Sequence, residues 1–159
     1  MKAAVKEADP IRTYGTNRRA RYDYFILETL EAGIVLTGTE IKSVRAGRVN
    51  IREAFARVER GELWLINAHI APYDAGGSWS NHEPTRTRKL LAHTREIGNL
   101  ARLTSQPGTT IIPLRVYDRR GHVKVELGLA RGKHSYDKRE AIAKRDAQRD
   151  IARAMRVNR

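Results

Sequence analysis

The chain has 159 residues, the size of a single domain. Lys and Arg number 31 against 18 Asp and Glu, a formal net charge of +13, and 40% of the residues are hydrophobic, enough for a core. No cysteine is present, which excludes disulfides, Cys-ligated zinc, iron–sulfur clusters and thiol nucleophiles, and no 18 apolar residues run together to span a membrane.

Residues 1–16 lack periodicity, hold Pro10 and Gly15, and read as a mobile arm. Nothing in residues 1–10 resembles the apolar run of a secretory signal, so a reducing cytosol is the expected compartment. Residues 22–29 (YDYFILET) read as a strand, residues 30–33 as a turn and residues 34–37 as a second strand. Thr37 and Glu40 have the spacing of a capping box, which predicts a short helix with Ile41 and Val44 facing inward and Gly47 as its stop. Residues 54–59 and 62–68 form a predicted hairpin turning at Arg60-Gly61. Residues 72–84 read as a long loop, and residues 89–103 as a helix with Leu90, Leu91, Ile97, Leu100 and Ala101 near one face. A second hairpin joins residues 109–117 to 122–130, and Pro113 marks an edge or a bulge in its first strand. After Gly132 the only large aliphatics are Ile142, Ile151 and Met155, too few to hold a helix on a core. This tail is expected to be disordered when free and helical when docked on an anionic partner. The fold class is mainly β with peripheral helices: a closed antiparallel barrel of oligonucleotide-binding type with about six strands. Its domain spans residues 17–131, between the arm and a basic tail over residues 132–159.

The charge is clustered. Ten Lys/Arg and four Asp/Glu fall in residues 131–159, a second group is Arg18, Arg19 and Arg21 beside Tyr22, Tyr24 and Phe25, and a third is Arg86, Arg88 and Lys89. Held together on a fold, such clusters repel one another, and a polyphosphate relieves the repulsion with release of counterions. Catalytic patterns are sparse. The five histidines have no metal-ligand spacing, and there is no phosphate-binding glycine loop, dinucleotide fingerprint or nucleophile elbow. Glu28, Glu31 and Glu40 could in principle clamp Mg²⁺ for a ribonuclease, but a turn acid and a helix cap account for them more simply. Glu31 itself is either a solvated turn residue or a reader of an RNA amino group or 2′-hydroxyl, because phosphate repels it. The reading is of a non-enzymatic protein without cofactor or metal.

Residues 17–28 (NRRARYDYFILE), Glu31-Ala32-Gly33-Ile34, residues 38–43 (GTEIKS), residues 86–91 (RTRKLL) and residues 132–139 (GKHSYDKR) together resemble the SsrA-binding protein (SmpB) family. The resemblance implies a bacterial, cytoplasmic RNA-binding adaptor of trans-translation, ribosome-associated when active, with no membrane or DNA partner. Such a protein binds the tRNA-like domain of tmRNA (SsrA RNA), promotes its alanylation by alanyl-tRNA synthetase, and enters the A site of stalled ribosomes with elongation factor Tu. It further implies tmRNA contacts at Asn17, Arg19, Glu31, Arg45, Leu91 and Lys124, and so favours the reader role for Glu31. A tail carrying Gly132, Lys133, Tyr136, Asp137, Lys138, Arg139 and Met155 would occupy the decoding centre and vacant message channel of the small subunit, against 16S rRNA. The chain departs from the family at His134-Ser135, where a more basic pair is common, and at Gly98. A ribosomal protein or another barrel-type translation factor is the alternative.

Overall fold

The computed structural model describes residues 10–73, 81–133 and 135–157. Among these described residues, nine strands and four helices follow in chain order. They are β1 (Ile11–Thr16), α1 (Ala20–Asp23), β2 (Tyr24–Ile34), α2 (Gly38–Arg45), β3 (Val49–Asn50), β4 (Phe55–Glu59), β5 (Glu62–Ile66), β6 (His69–Ile70), β7 (Arg88–Leu91), α3 (Thr94–Thr104), β8 (Thr109–Arg119), β9 (His122–Gly132) and α4 (Ser135–Val157). The ladder β8-β4-β5-β7-β2-β9 returns to β8, so six antiparallel strands form a closed ring, with β1 added outside it on β8. This is the expected barrel.

Two hairpin turns set the register. Arg60 and Gly61 (φ +50° and +74°), and Arg120 and Gly121 (φ +53° and +77°), adopt the paired left-handed conformations that match the twist of the flanking strands. Long β8 serves two partners along one edge, pairing with β4 at Ala56–Ile111 and with β1 from Arg115 to Arg119. Its ladder with β9 shifts register between Pro113 and Arg115, a bulge at the residue with no N–H to give. Leu63, Leu65, Leu90, Ile111, Val125 and Leu127 fill the barrel, Val44 of α2 and Leu100 of α3 join them, and Ala20, Ile112, Leu114 and Ala130 form a smaller cluster. The capping box is present, with Thr37 N–H donating to Glu40 Oε1 at 2.9 Å and Glu40 N–H to Thr37 Oγ1 at 3.4 Å.

Four sequence expectations need correction. Residues 11–16 of the supposed arm are strand β1, held by pairing with β8 that no local pattern in the segment announces; residues 1–9 lie outside the described residues. Tyr22 and Asp23 belong to α1, because Asn17 N–H on Leu114 O (2.8 Å) and Asp23 N–H on Arg19 O (2.9 Å) curl the chain before β2 begins. The turn at residues 30–33 and the separate strand at 34–37 do not exist, since β2 runs through the first with Glu31, Ala32 and Gly33 all paired to β9 and ends at Ile34. Leu90 and Leu91 are not on a helix. β7 fills the gap between β5 and β2, which turns Leu90 inward against Leu63 and Leu91 outward beside Gly33.

The loop over residues 72–84 is described only at its ends, which are tied together. Ile70 N–H reaches Pro84 O at 2.9 Å, His82 Nε2 donates to Ile70 O at 2.9 Å, and Asn81 exchanges two 2.9 Å bonds with the Tyr73 backbone. Beneath them Arg88 is fully buried. It donates to Ala68 O at 2.7 Å and Pro84 O at 3.0 Å, and through Nε to the equally buried Glu40. The α4 helix has 23 residues, a rod of about 35 Å. The sequence reading reserves that conformation for the docked tail.

Candidate nucleic-acid interface

In a strand, alternate side chains share a face, so backbone register locates the residues that meet outside the barrel. Leu91 pairs with Gly33, Gly33 with Lys124, and Lys124 with Tyr117. These four form one outward row across β7, β2, β9 and β8. A Cβ on Gly33 would stand 3.3 Å from that of Leu91, a tight approach between the two strands. Leu91 is 51% exposed, unusual for a leucine, and lines a shallow groove with Arg45, His122 and Lys124. Arg45 is held at the groove wall by Asp118 (3.6 Å) and by Gly121 O (3.1 Å). The next row on this face is Glu31, Glu126 and Arg115.

Glu31 is therefore a mid-strand residue. Its carboxylate accepts the Tyr117 hydroxyl and pairs with Arg119 at 3.3 Å. Tyr117 is 1% exposed, with the guanidinium groups of Arg115 and Arg119 lying 4.6 and 5.8 Å from its ring centre. Burial, reinforced by the Glu31 carboxylate, pushes the phenol well above its ordinary value, so it stays protonated and a donor. Arg115 also bonds Glu126 at 3.0 Å. A second groove continues the face, lined by Asn17, Arg18, Arg21, Leu114, Arg115 and Glu126. Asn17 fixes its far end, its Nδ2 donating to Pro113 O at 3.2 Å. Arg19 is exposed, paired with Asp23 at 3.7 Å and lying 5.3 Å from the Tyr22 ring centre. The result is a mostly cationic tract from α1 along β8 and β9 to Leu91. It takes in Asn17, Glu31, Arg45, Leu91 and Lys124, while Arg19 lines separate clefts shared with Arg52.

The tail roots at the same end. Lys133 N–H donates to Asp23 O at 3.0 Å and its Nζ to Arg21 O at 2.9 Å, and α4 touches α1. Arg131 and Lys133 approach the half-exposed Phe25 ring at 5.6 and 4.9 Å. The second basic cluster and the tail thus converge. The third does not join them, because Arg88 is internal and spent on Glu40 and carbonyls, while Lys89 pairs with Glu62 at 3.2 Å. Gly132 ends β9; Arg139 and Met155 are exposed on α4, and Tyr136, Asp137 and Lys138 sit in its first turn with side chains outside the described residues. The three acids of the nuclease alternative are apart. Glu40 is sealed between Arg86 and Arg88, Glu31 is bound to Tyr117 and Arg119, and Glu28 faces a different cleft beside Glu96. Among the described residues no group of acids or histidines is placed to hold a metal ion.

The family model of the SmpB protein matches residues 14–157. The chain belongs to the SmpB family. It is 57% identical over 145 residues to the SsrA-binding protein of Roseiflexus castenholzii, covering 91% of this chain and 92% of that one. The SsrA-binding proteins of Streptococcus pneumoniae strain P1031 (58% over 141 residues, 89% and 90% covered) and Desulforudis audaxviator (57% over 148 residues, 93% and 96% covered) are similarly related. A solved chain described under "tmRNA-SmpB: a journey to the center of the bacterial ribosome" is 53% identical, covers 80% of this chain and 93% of its own, and superposes with a TM-score of 0.65.

Sequence reasoning missed Tyr117, Arg115 and Arg119 on this SmpB-type face. Their two-residue spacing on a strand with Ile111 and Val116 inside was the available signal. The sequence sets Phe25 beside the second basic group but not against Arg131 and Lys133, which lie over a hundred residues away along the chain.

Proposed function

We propose that this chain is the RNA-binding adaptor of trans-translation, binding the tRNA-like domain of tmRNA along the tract from Asn17 to Leu91. The observation that carries the reading is the single outward row of Leu91, Gly33, Lys124 and Tyr117, with Glu31 and Arg45 beside it, on a chain of the SmpB family. Relatives named SsrA-binding protein and a solved neighbour in complex with tmRNA support it. Phosphate contacts come from the tract's cations and base or ribose contacts from Leu91 and Glu31, the division of labour usual for RNA recognition.

In this reading the protein promotes alanylation of the RNA by alanyl-tRNA synthetase and, with elongation factor Tu, brings it to the A site of a stalled ribosome in the bacterial cytoplasm. The tail from Gly132 and Lys133 through Tyr136, Asp137, Lys138 and Arg139 to Met155 then follows 16S rRNA through the decoding centre into the vacant message channel. Its basic helix lies where messenger phosphates would otherwise be, and the Tyr136 ring stacks on a ribosomal base. The tail is disordered before docking and orders on the ribosome, its ordering cost offset by phosphate contacts. The test replaces Asp137, Lys138 and Arg139 together by alanine. Affinity for the isolated tRNA-like domain should stay within about twofold, since those residues lie outside the tract, while peptide tagging on ribosomes stalled at a message end should be lost. Loss of both activities, or of neither, would refute the division between barrel and tail.

A further inference from the structure

We infer that Tyr117, with Arg119, is a positioning residue that locks one oxygen of Glu31 so that the other faces the RNA as an acceptor for a neutral N–H or O–H donor. The inference rests on the proposed tmRNA reading and deepens it. Both partners of the carboxylate, the Tyr117 hydroxyl and Arg119 Nη1, land on Oε2. Oε1 has no bond among the described residues, and the side chain keeps about a third of its surface open. A free glutamate on a strand samples several rotamers and repels phosphate. This one is held from two sides, and its charge is offset by Arg119 at 3.3 Å, with Arg115 stacked on the far member of the chain.

Tyr117 is suited to the task. A buried phenol needs an acceptor, and Glu31 is the one it has. Its hydroxyl donates to Oε2, so that oxygen is already engaged and Oε1 is the one left to accept from an incoming donor. Such an acceptor selects a base amino group or a ribose 2′-hydroxyl and rejects a phosphate oxygen.

Binding of the tRNA-like domain RNA is measured for the wild type, Tyr117→Phe, Glu31→Ala and the double variant, with thermal midpoints and the slope of affinity against salt. Tyr117→Phe should weaken binding about fivefold, the worth of one net hydrogen bond, with the salt slope unchanged because no phosphate contact is lost. In the Glu31→Ala background it should do nothing further. An equal loss in both backgrounds, or wild-type binding by Tyr117→Phe, would overturn the inference. If Tyr117→Phe melts below the assay temperature, Arg119→Gln carries the same coupling test through the second partner of Oε2, and additivity with Glu31→Ala would count against it in the same way. Analogue interference separates the donors. Deoxynucleotide positions that weaken wild-type but not Glu31→Ala binding identify a 2′-hydroxyl, inosine, purine riboside or pyrimidin-2-one riboside positions that do so identify the amino group of guanine, adenine or cytosine, and no difference between the proteins at any position overturns the acceptor role. A wild type with no preference for this RNA over an unrelated hairpin would bring down the tmRNA reading beneath it; intact preference with a silent Tyr117→Phe would bring down the inference alone.

Discussion

Glu40→Ala tests how the interface is held from behind. Glu40 and Arg88 are both fully buried, and Arg88 grips the carbonyls of Ala68 and Pro84 while its strand carries Leu91. Removing the carboxylate orphans a buried guanidinium, a loss of about 3–5 kcal/mol. It also removes the bond to Thr37 N–H that completes the helix cap, worth about 1 kcal/mol. Arg86, with 37% of its side chain exposed, can turn to water and adds little. For a domain of this size each kcal/mol moves the midpoint by roughly 2–4 °C, so the expected fall is about 10–20 °C in a thermal unfolding curve followed by circular dichroism. Replacing both members, Glu40→Leu with Arg88→Met, should restore most of it, because two apolar groups leave no charge unpaired. A fall of less than about 2 °C for the single variant, or a double variant as damaged as the single, would refute the account. Acid gives a second check. Burial raises the Glu40 carboxyl, but Arg86, the Thr37 N–H and Arg88 together outweigh it and hold it below the ordinary carboxylate range. Since the folded value is the lower one, the stabilisation is complete above the unfolded value and is lost as pH falls through the folded value. The gap between wild type and Glu40→Ala should thus be flat near neutrality and narrow only below roughly pH 4.

Lys124→Ala should lower the slope of log affinity against log salt by about 0.7–0.9 with little change in melting temperature, as read by filter binding across a salt series; an unchanged slope would remove Lys124 from the phosphate-contacting set. Gly33→Val puts a branched side chain where even a Cβ stands 3.3 Å from Leu91. The displaced leucine should weaken RNA binding by roughly fivefold, about the 1 kcal/mol at which overpacking begins to be felt, and a titration indistinguishable from wild type would show that Leu91 has room to yield.

What the sequence made legible was local. The capping box at Thr37 and Glu40, the turn at Arg60-Gly61, the hairpin joining residues 109–117 to 122–130, and the irregularity at Pro113 each depend on residues a few positions apart, and the structure has them all. The misreadings share a cause in distant pairing. Glu31 looked like a turn residue because Ala32-Gly33 follows it, yet Gly33 lies close against Leu91 of another strand. Leu90 and Leu91 fit a helical face as well as two faces of a strand, and only β5 and β2 on either side decide between them. Arg88 counted as surface charge until Glu40, 48 positions earlier, was seen to bury it. Of the candidate contacts, Asn17, Glu31 and Leu91 fall inside the family motifs; the Glu31–Tyr117 bond, spanning 86 positions, leaves no local trace in the sequence.

The tied ends of the loop over residues 72–84 give the molecule a place that can be edited. Because Asn81, His82 and Arg88 fasten the two described banks to each other, residues added between them leave those bonds in place. Their only charge is the entropy of a longer excursion, about 0.6 kcal/mol for each doubling. An epitope or fluorophore tag spliced between the banks would leave the barrel's hydrogen-bond register as it was.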